Sequence, residues 1–249
     1  TPGILTTCAS CAVPIPYTAP RCSKCHTRYC GQACQTLHWN QGGHNRALCK
    51  RIKRGGGAEK YHANQKYDEA VAEAVEECAE DTKGQTCFIC TEAVHRHTKE
   101  GLVRGCSCRG TAGFAHVSCL AEQAKILVAE AEENNLGSKV LNERFDRWHT
   151  CGLCEQNYHG VVRGGLGWGC WKTYLGRPET DWIRRESMTV LGNGLTVVDH
   201  HEEALSVKEA ELSVKRRVGA SRGDLLVVQG NIANTYDMLG RKEEALRLN

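Results

Sequence analysis

The chain has 249 residues, 16 of them cysteine, with 41% hydrophobic and only 6% aromatic residues and a formal charge of +3. Mean hydropathy is -0.46 and no apolar run approaches the roughly 20 residues needed to cross a bilayer, which excludes a membrane-spanning helix. Four C-x2-C pairs, Cys8/Cys11, Cys22/Cys25, Cys87/Cys90 and Cys151/Cys154, interspersed with histidines, point to zinc in a reducing compartment, cytoplasmic or nuclear, rather than to a disulfide framework. The chain starts at Thr1 without an initiator Met or a signal segment, and is read as a piece of a longer protein.

Residues 8–49 read C-x2-C-x10-C-x2-C-x4-C-x3-C-x9-H-x4-C, seven cysteines and one histidine, which closes two tetrahedral zinc sites without remainder. With Tyr29 directly before Cys30, and Gln35 and Trp39 after Cys34, this stretch resembles a MYND zinc finger. The resemblance implies interleaved sites, Cys8, Cys11, Cys30 and Cys34 on one zinc and Cys22, Cys25, His44 and Cys49 on the other. It also implies that proline-containing peptides bind against Gln35 and Trp39, while an aromatic at position 39 serves equally to pack the helix of a small domain.

The spacing around His44 departs from the family, which has seven residues before the histidine and three after it. A five-residue step from His44 to Cys49 turns about 140° round an ideal helix, so Gly42 and Gly43 are expected to distort the approach. His38, four residues after Cys34, is the competing ligand, and His26 is expected to be an exposed ring.

Residues 50–84 form a basic, glycine-rich hinge, Arg51 to Gly57, and then a linker helix from Ala58 to about Asp81 with Tyr67, Ala70, Val71, Ala74, Val75 and Cys78 at helical spacing. Residues 1–57 carry eight Lys or Arg and no acid, whereas residues 58–83 carry eight acids against three lysines; both are read as solvated faces. Fourteen ligand thiolates and four zinc ions would bring the net charge to about -3, so nucleic acid is not an expected partner.

Residues 87–154, within a region 85–160, read C-x2-C-x15-C-x-C-x7-H-x2-C-x31-C-x2-C. The tight Cys106/Cys108 pair and the seven residues to His116 make this stretch similar to a RING-CH (RINGv) finger. The resemblance implies Cys87, Cys90, His116 and Cys119 on one zinc and Cys106, Cys108, Cys151 and Cys154 on the other, with His149 close enough to stand in for Cys151. It further implies recruitment of a ubiquitin-conjugating enzyme through Ile89, inside the first pair, and Leu120. Gly152 and Glu155 stand where ligases of this kind often have a proline and a cation.

Within the long gap, Leu120, Ala124, Leu127 and Ala131 mark one helix stopped at Gly137, and Leu141, Phe145 and Trp148 mark a second. Cys78 and Cys170 are left over and read as buried thiols, and His95, His97, His159, His200 and His201 as surface or loop residues.

Residues 161–249 read as helical. Leu191, Gly192, Asn193, Leu195, Glu202, Glu203, Ala204 and Leu205 recur 41 residues later as Ile232, Ala233, Asn234, Tyr236, Glu243, Glu244, Ala245 and Leu246. This pattern resembles a tetratricopeptide array over about residues 186–249.

The expected fold class is small zinc-stabilised domains plus all-α: MYND finger, linker helix, RING-CH cross-brace finger and the start of a tetratricopeptide-like solenoid. The resemblances imply a modular zinc protein with four structural zinc ions and protein partners, acting as a RING-type ubiquitin ligase or as a non-catalytic adaptor that binds peptides.

Overall fold

The computed structural model describes residues 7–13, 15, 16 and 18–248. Its α-helices are α1 (Gln32–Asn40), α2 (Arg46–Arg54), α3 (Ala58–Glu77), α4 (Val117–Glu133), α5 (Gly137–Phe145), α6 (Gly160–Tyr174), α7 (Trp182–Val197), α8 (His201–Arg217), α9 (Arg222–Met238) and α10 (Lys242–Leu246), with a 3-10 turn at Asp146–Trp148. Among the described residues there is no strand, only three isolated antiparallel bridges. No helix is long and apolar enough to cross a membrane. The chain forms two compact units, one of residues up to 66, 177–185 and 205 onward, the other of 67–176 and 186–204.

In the first unit the early core is made largely of candidate metal ligands. Cys8, Cys22, Cys25 and Cys49 cluster with Tyr29, Ile52 and Ala58, and few aliphatic side chains join them. So small a core relies on a metal or an added staple for its stability. Helix α2 starts where the Asn45 side chain accepts a hydrogen bond from the Leu48 N–H at 2.9 Å, and it turns Cys49 and Ile52 inward. Farther along, Leu205 and Leu212 of α8 pack on Val228 and Ile232 of α9. Beside them Lys208 donates to the Thr235 hydroxyl at 2.8 Å, and Lys215 pairs with buried Glu211 at 2.8 Å.

In the second unit α4 packs against α5, α6 and the 3-10 turn. Val117, Leu120, Ala124, Val128 and Ala131 face inward, and buried Trp148 donates its indole N–H to the Tyr174 hydroxyl at 3.3 Å. Helix α6 holds five glycines, each costing about 0.5–1 kcal/mol in a helix interior. They allow close approach: a Cβ on Gly167 would lie 3.2 Å from the Leu191 Cα, and one on Gly194 of α7 would lie 2.9 Å from the Arg163 carbonyl oxygen.

Three expectations shift. The linker helix ends at Glu77 rather than near Asp81, because Glu76, Glu77, Glu80 and Asp81 crowd the negative end of the helix dipole with no cation in the last turn. The first helix of the gap stops at Asn134, and Gly137, at φ +81°, opens α5 instead of closing α4. Cys170 is fully buried, but Cys78 is only half-buried.

The 41-residue period is carried by the backbone. Helices α7 and α8 end and begin at Val197 and His201, and α9 and α10 do so at Met238 and Lys242. Asp199 (φ 58°) and Gly240 (φ 72°) hold the same left-handed position between them. Ala204 and Ala245 are both buried, whereas Leu205 is 4% exposed and its counterpart Leu246 75%.

Candidate metal centres

Four clusters of Cys and His donors form, each able to hold a zinc ion: Cys8, Cys11, Cys30 and Cys34; Cys22, Cys25, His44 and Cys49; Cys87, Cys90, His116 and Cys119; Cys106, Cys108, Cys151 and Cys154. Within each cluster the donor atoms all lie within 4.8 Å of one another. Both pairs of clusters interleave, since the first and third ligand pairs share one site and the second and fourth share the other.

The C-x2-C pairs sit on one recurring turn. The N–H of the residue four places after the first cysteine bonds back to that cysteine's carbonyl: Ala12 to Cys8 at 2.9 Å, His26 to Cys22 at 2.9 Å, Thr91 to Cys87 at 2.8 Å and Glu155 to Cys151 at 3.0 Å. All four of these residues take a left-handed φ, between 58° and 65°. The turn aims backbone N–H groups at sulfur, as in Ile89 N–H to Cys87 Sγ and Leu153 N–H to Cys151 Sγ, both at 3.4 Å. Burial works against a thiolate at Cys8, yet the N–H groups of Cys11, Cys30 and Ser10 outweigh it and hold the thiol down at about 6.

Other thiols in the same clusters are pushed the opposite way. Burial, then neighbouring Cys25 and Cys22, push Cys49 up to about 12; hydrogen bonding to Cys34 and Cys11 pushes exposed Cys30 up to about 12. Four soft donors so close together cannot all ionise unaided, and a divalent cation resolves that conflict by taking the thiolates as ligands. With four protein donors each, the sites are closed and structural, with no position left for a hydrolytic water.

Among the histidines, His44 stands in the second cluster and His38 in none. Because α2 is capped at Asn45, His44 lies before the helix, so the five-residue step to Cys49 is not a step round one helix. Gly42, at φ +78°, and Gly43, whose added Cβ would strike the His38 ring at 2.2 Å, make that approach possible. His44 Nε2 lies 3.2 Å from Cys25 Sγ, and its Nδ1 lies 2.6 Å from the Tyr29 hydroxyl, which is also 3.2 Å from His38 Nδ1. With Nε2 toward the metal, His44 Nδ1–H donates to Tyr29 and the tyrosine hydroxyl donates to His38. Burial lowers the pKa of His44, with His38 adding to it, which keeps the imidazole neutral for ligation.

In the second module His116 turns Nδ1 toward Cys90 at 3.3 Å and Cys119 at 3.6 Å. The Val103–Ala115 bridge and the Phe88 N–H to Phe114 carbonyl bond carry it to the first knuckle. Gly113, at φ +83°, lies so near the next pair that a Cβ there would meet Cys108 Cβ at 2.6 Å. A bond from His159 N–H to the Gly105 carbonyl, 2.8 Å, ties the Cys151/Cys154 loop to Cys106. His149 lies 3.2 Å from Asp146 and outside the cluster that contains Cys151.

Of the expected partner contacts, Trp39 is 48% exposed and Gln35 is half-buried. Ile89 is half-buried on the wall of a groove of about 500 Å3 shared with His95, His97, Glu122, Ile126 and Leu127. Leu120 is not a surface contact: it is 4% exposed, because it points with Ala124 and Val128 into the α4 core. Ile126, 47% exposed, and half-buried Leu127 line the groove instead, which the i, i+3, i+4 pattern hides because two apolar stripes run along α4. His95 and His97, read as surface residues, line the same groove.

Comparison with curated proteins and with solved structures returned no significant match. A family model described as RING-variant domain (RINGv) matches residues 87–135, which hold the first six ligands of the second module, through Cys119; Cys151 and Cys154 lie beyond the matched stretch.

Proposed function

We propose that this chain is a zinc-built protein-interaction protein whose central RING-variant finger recruits a ubiquitin-conjugating enzyme, so that a substrate lysine attacks the thioester that enzyme carries. The sixteen residues of the four clusters are the zinc ligands of this reading, the first eight in a MYND-type finger and the last eight in the cross-braced RING-CH finger. The helical pairs α7/α8 and α9/α10 act as tetratricopeptide-like repeats that bind protein.

The observation that carries the reading is the groove walled by Ile89 and Ile126 on the stretch matched by the RING-variant model. An apolar residue held between two metal ligands is kept from the core by the knuckle itself, so half-buried Ile89 lines the groove, and exposed Ile126 faces it from α4. Both are available for a partner's apolar side chains, and the zinc ions supply only rigidity. Catalysis is then positioning of two bound proteins.

The test is a ubiquitination assay with a panel of conjugating enzymes. Ile89→Ala and Ile126→Ala each remove about 1–3 kcal/mol of buried contact and are expected to suppress chain formation by tenfold or more with four zinc ions retained. Cys87→Ser is expected to lose metal and local fold together. Wild-type protein inert with every enzyme tested refutes the ligase reading.

A second reading, a non-catalytic adaptor, has its own support. Trp39 stands exposed on α1, where a proline-containing peptide can reach it, and Glu155 places an exposed acid where active ligases of this kind often carry a cation.

A further inference from the structure

Helix α2 carries five cations in nine residues: Arg46, Lys50, Arg51, Lys53 and Arg54, all exposed. At 100° per residue, Arg46, Lys50, Lys53 and Arg54 fall within about 100° of arc with Arg51 flanking them, while Leu48, Cys49 and Ile52 occupy the opposite side. Cys49 belongs to a metal cluster and Ile52 is buried, so the cations stand on a firmly anchored helix.

Among the described residues none of the five is paired with an acid, and residues 1–57 contain no Asp or Glu to neutralise them. Favourable placement at the negative end of the helix dipole accounts for Arg51, Lys53 and Arg54, but not for Arg46 and Lys50 in the first half.

Arg46, Lys50 and Arg54 recur at four-residue steps, about 6 Å apart along the axis. An extended peptide places every second side chain on one face at about 6.6–6.8 Å, a close match. We propose that α2 docks an extended acidic segment of a partner protein with Asp or Glu at alternate positions.

A nucleic acid strand fits less well. With thiolates and zinc counted, the whole chain carries about -3, which repels a long polyanion, whereas a short peptide senses only charges within about 8 Å. The cationic face also holds no aromatic ring on which bases could stack.

The probe is a fluorescein-labelled peptide of about twelve residues with Glu at alternate positions, titrated by fluorescence anisotropy with zinc-loaded full-length chain at low salt and at about 0.15 M salt. Wild-type protein is expected to bind it more weakly as salt rises. The double variant Lys50→Glu/Arg54→Glu should lose tenfold or more in affinity with unchanged zinc content. Lys139→Glu/Lys242→Glu, the same charge change at exposed lysines elsewhere, should stay within about twofold of wild type. Three results overturn the proposal: no binding at low salt, equal binding by the Lys50/Arg54 variant, or tighter binding of a single-stranded DNA of equal charge than of the peptide.

Discussion

Replacing Tyr29 with Phe isolates what lies behind a ligand. The Tyr29 ring is 0% exposed, and its hydroxyl is the partner of His44 Nδ1 at 2.6 Å. Phe keeps the ring and its packing against Cys25 and Ile52 but leaves the Nδ1–H of a 1% exposed histidine without an acceptor. An unsatisfied buried donor costs about 1–3 kcal/mol, and loss of a partner behind a metal-bound histidine weakens the metal by about 10–100-fold, the same range in free energy. A competition titration against a chromophoric zinc chelator should therefore show three sites as in wild type and one weakened by that factor. The freed His38 ring should report the change as a shifted imidazole resonance. Four unchanged affinities would refute the assignment of His44 as the ligand held by Tyr29. Loss of two zinc ions would show that Tyr29 is needed for the whole module and not for one site.

The purified chain is expected to bind four zinc ions, and chelation should unfold residues 8–49 and 87–154 while leaving helical signal from α7 to α10; a metal analysis giving two or fewer overturns this. Glu211→Ala removes the carboxylate that buried Lys215 pairs with at 2.8 Å, and should lower stability by about 3–5 kcal/mol in denaturant melts, whereas an effect below about 1 kcal/mol would place that pair in water. Burial raises Glu59 from its ordinary 4.5 to about 6 against the pull of Arg184 and Arg28, so the folded state holds this proton more tightly and stability falls as pH rises from about 4.5 to 6. Glu59→Gln should accordingly exceed wild type by up to about 2 kcal/mol above pH 6, with the gap closing as pH falls; a gap that widens in acid contradicts the sign.

The cluster residues were legible because tetrahedral metal chemistry acts through local spacing, a C-x2-C pair being one turn, whereas which pairs meet was implied only by the resemblance to the two fingers. His44 against His38 was a finer matter, decided by the Asn45 cap and two glycines rather than by the count of intervening residues. Helix α6 falls in a stretch read as helical without bounds, and its run of glycines is explained only by what comes close to them: Val198 at Gly164, Val117 at Gly165, Leu191 at Gly167 and Tyr67 at Gly169. Leu120 looks like a surface anchor in sequence; that it faces the core while Ile126 stays exposed depends on where α5 and α6 lie, information that no local pattern contains. The 41-residue period carried no helix bounds; the turns that set them centre on Asp199 and Gly240, 41 residues apart.

The knuckle turn occurs once more where there is no thiol. His95 N–H bonds to the Glu100 carbonyl at 2.9 Å, Lys99 N–H bonds back to His95 at 3.0 Å, and Lys99 takes the left-handed φ of 63°, with His95 and Thr98 in the places of the paired cysteines. That fifth copy is held by its backbone and by a 2.8 Å contact between the His95 ring and the Thr98 hydroxyl. The bend is therefore a property of the chain, not of the ion. Metal loading can then begin with capture by a turn that already presents two sulfurs side by side, and the slow event becomes the meeting of two such turns from distant parts of the sequence. The order of assembly follows loop length: the Cys87/Cys90 turn finds His116 and Cys119 across a short stretch, and the Cys106/Cys108 pair waits for Cys151 and Cys154 to arrive behind α4 and α5.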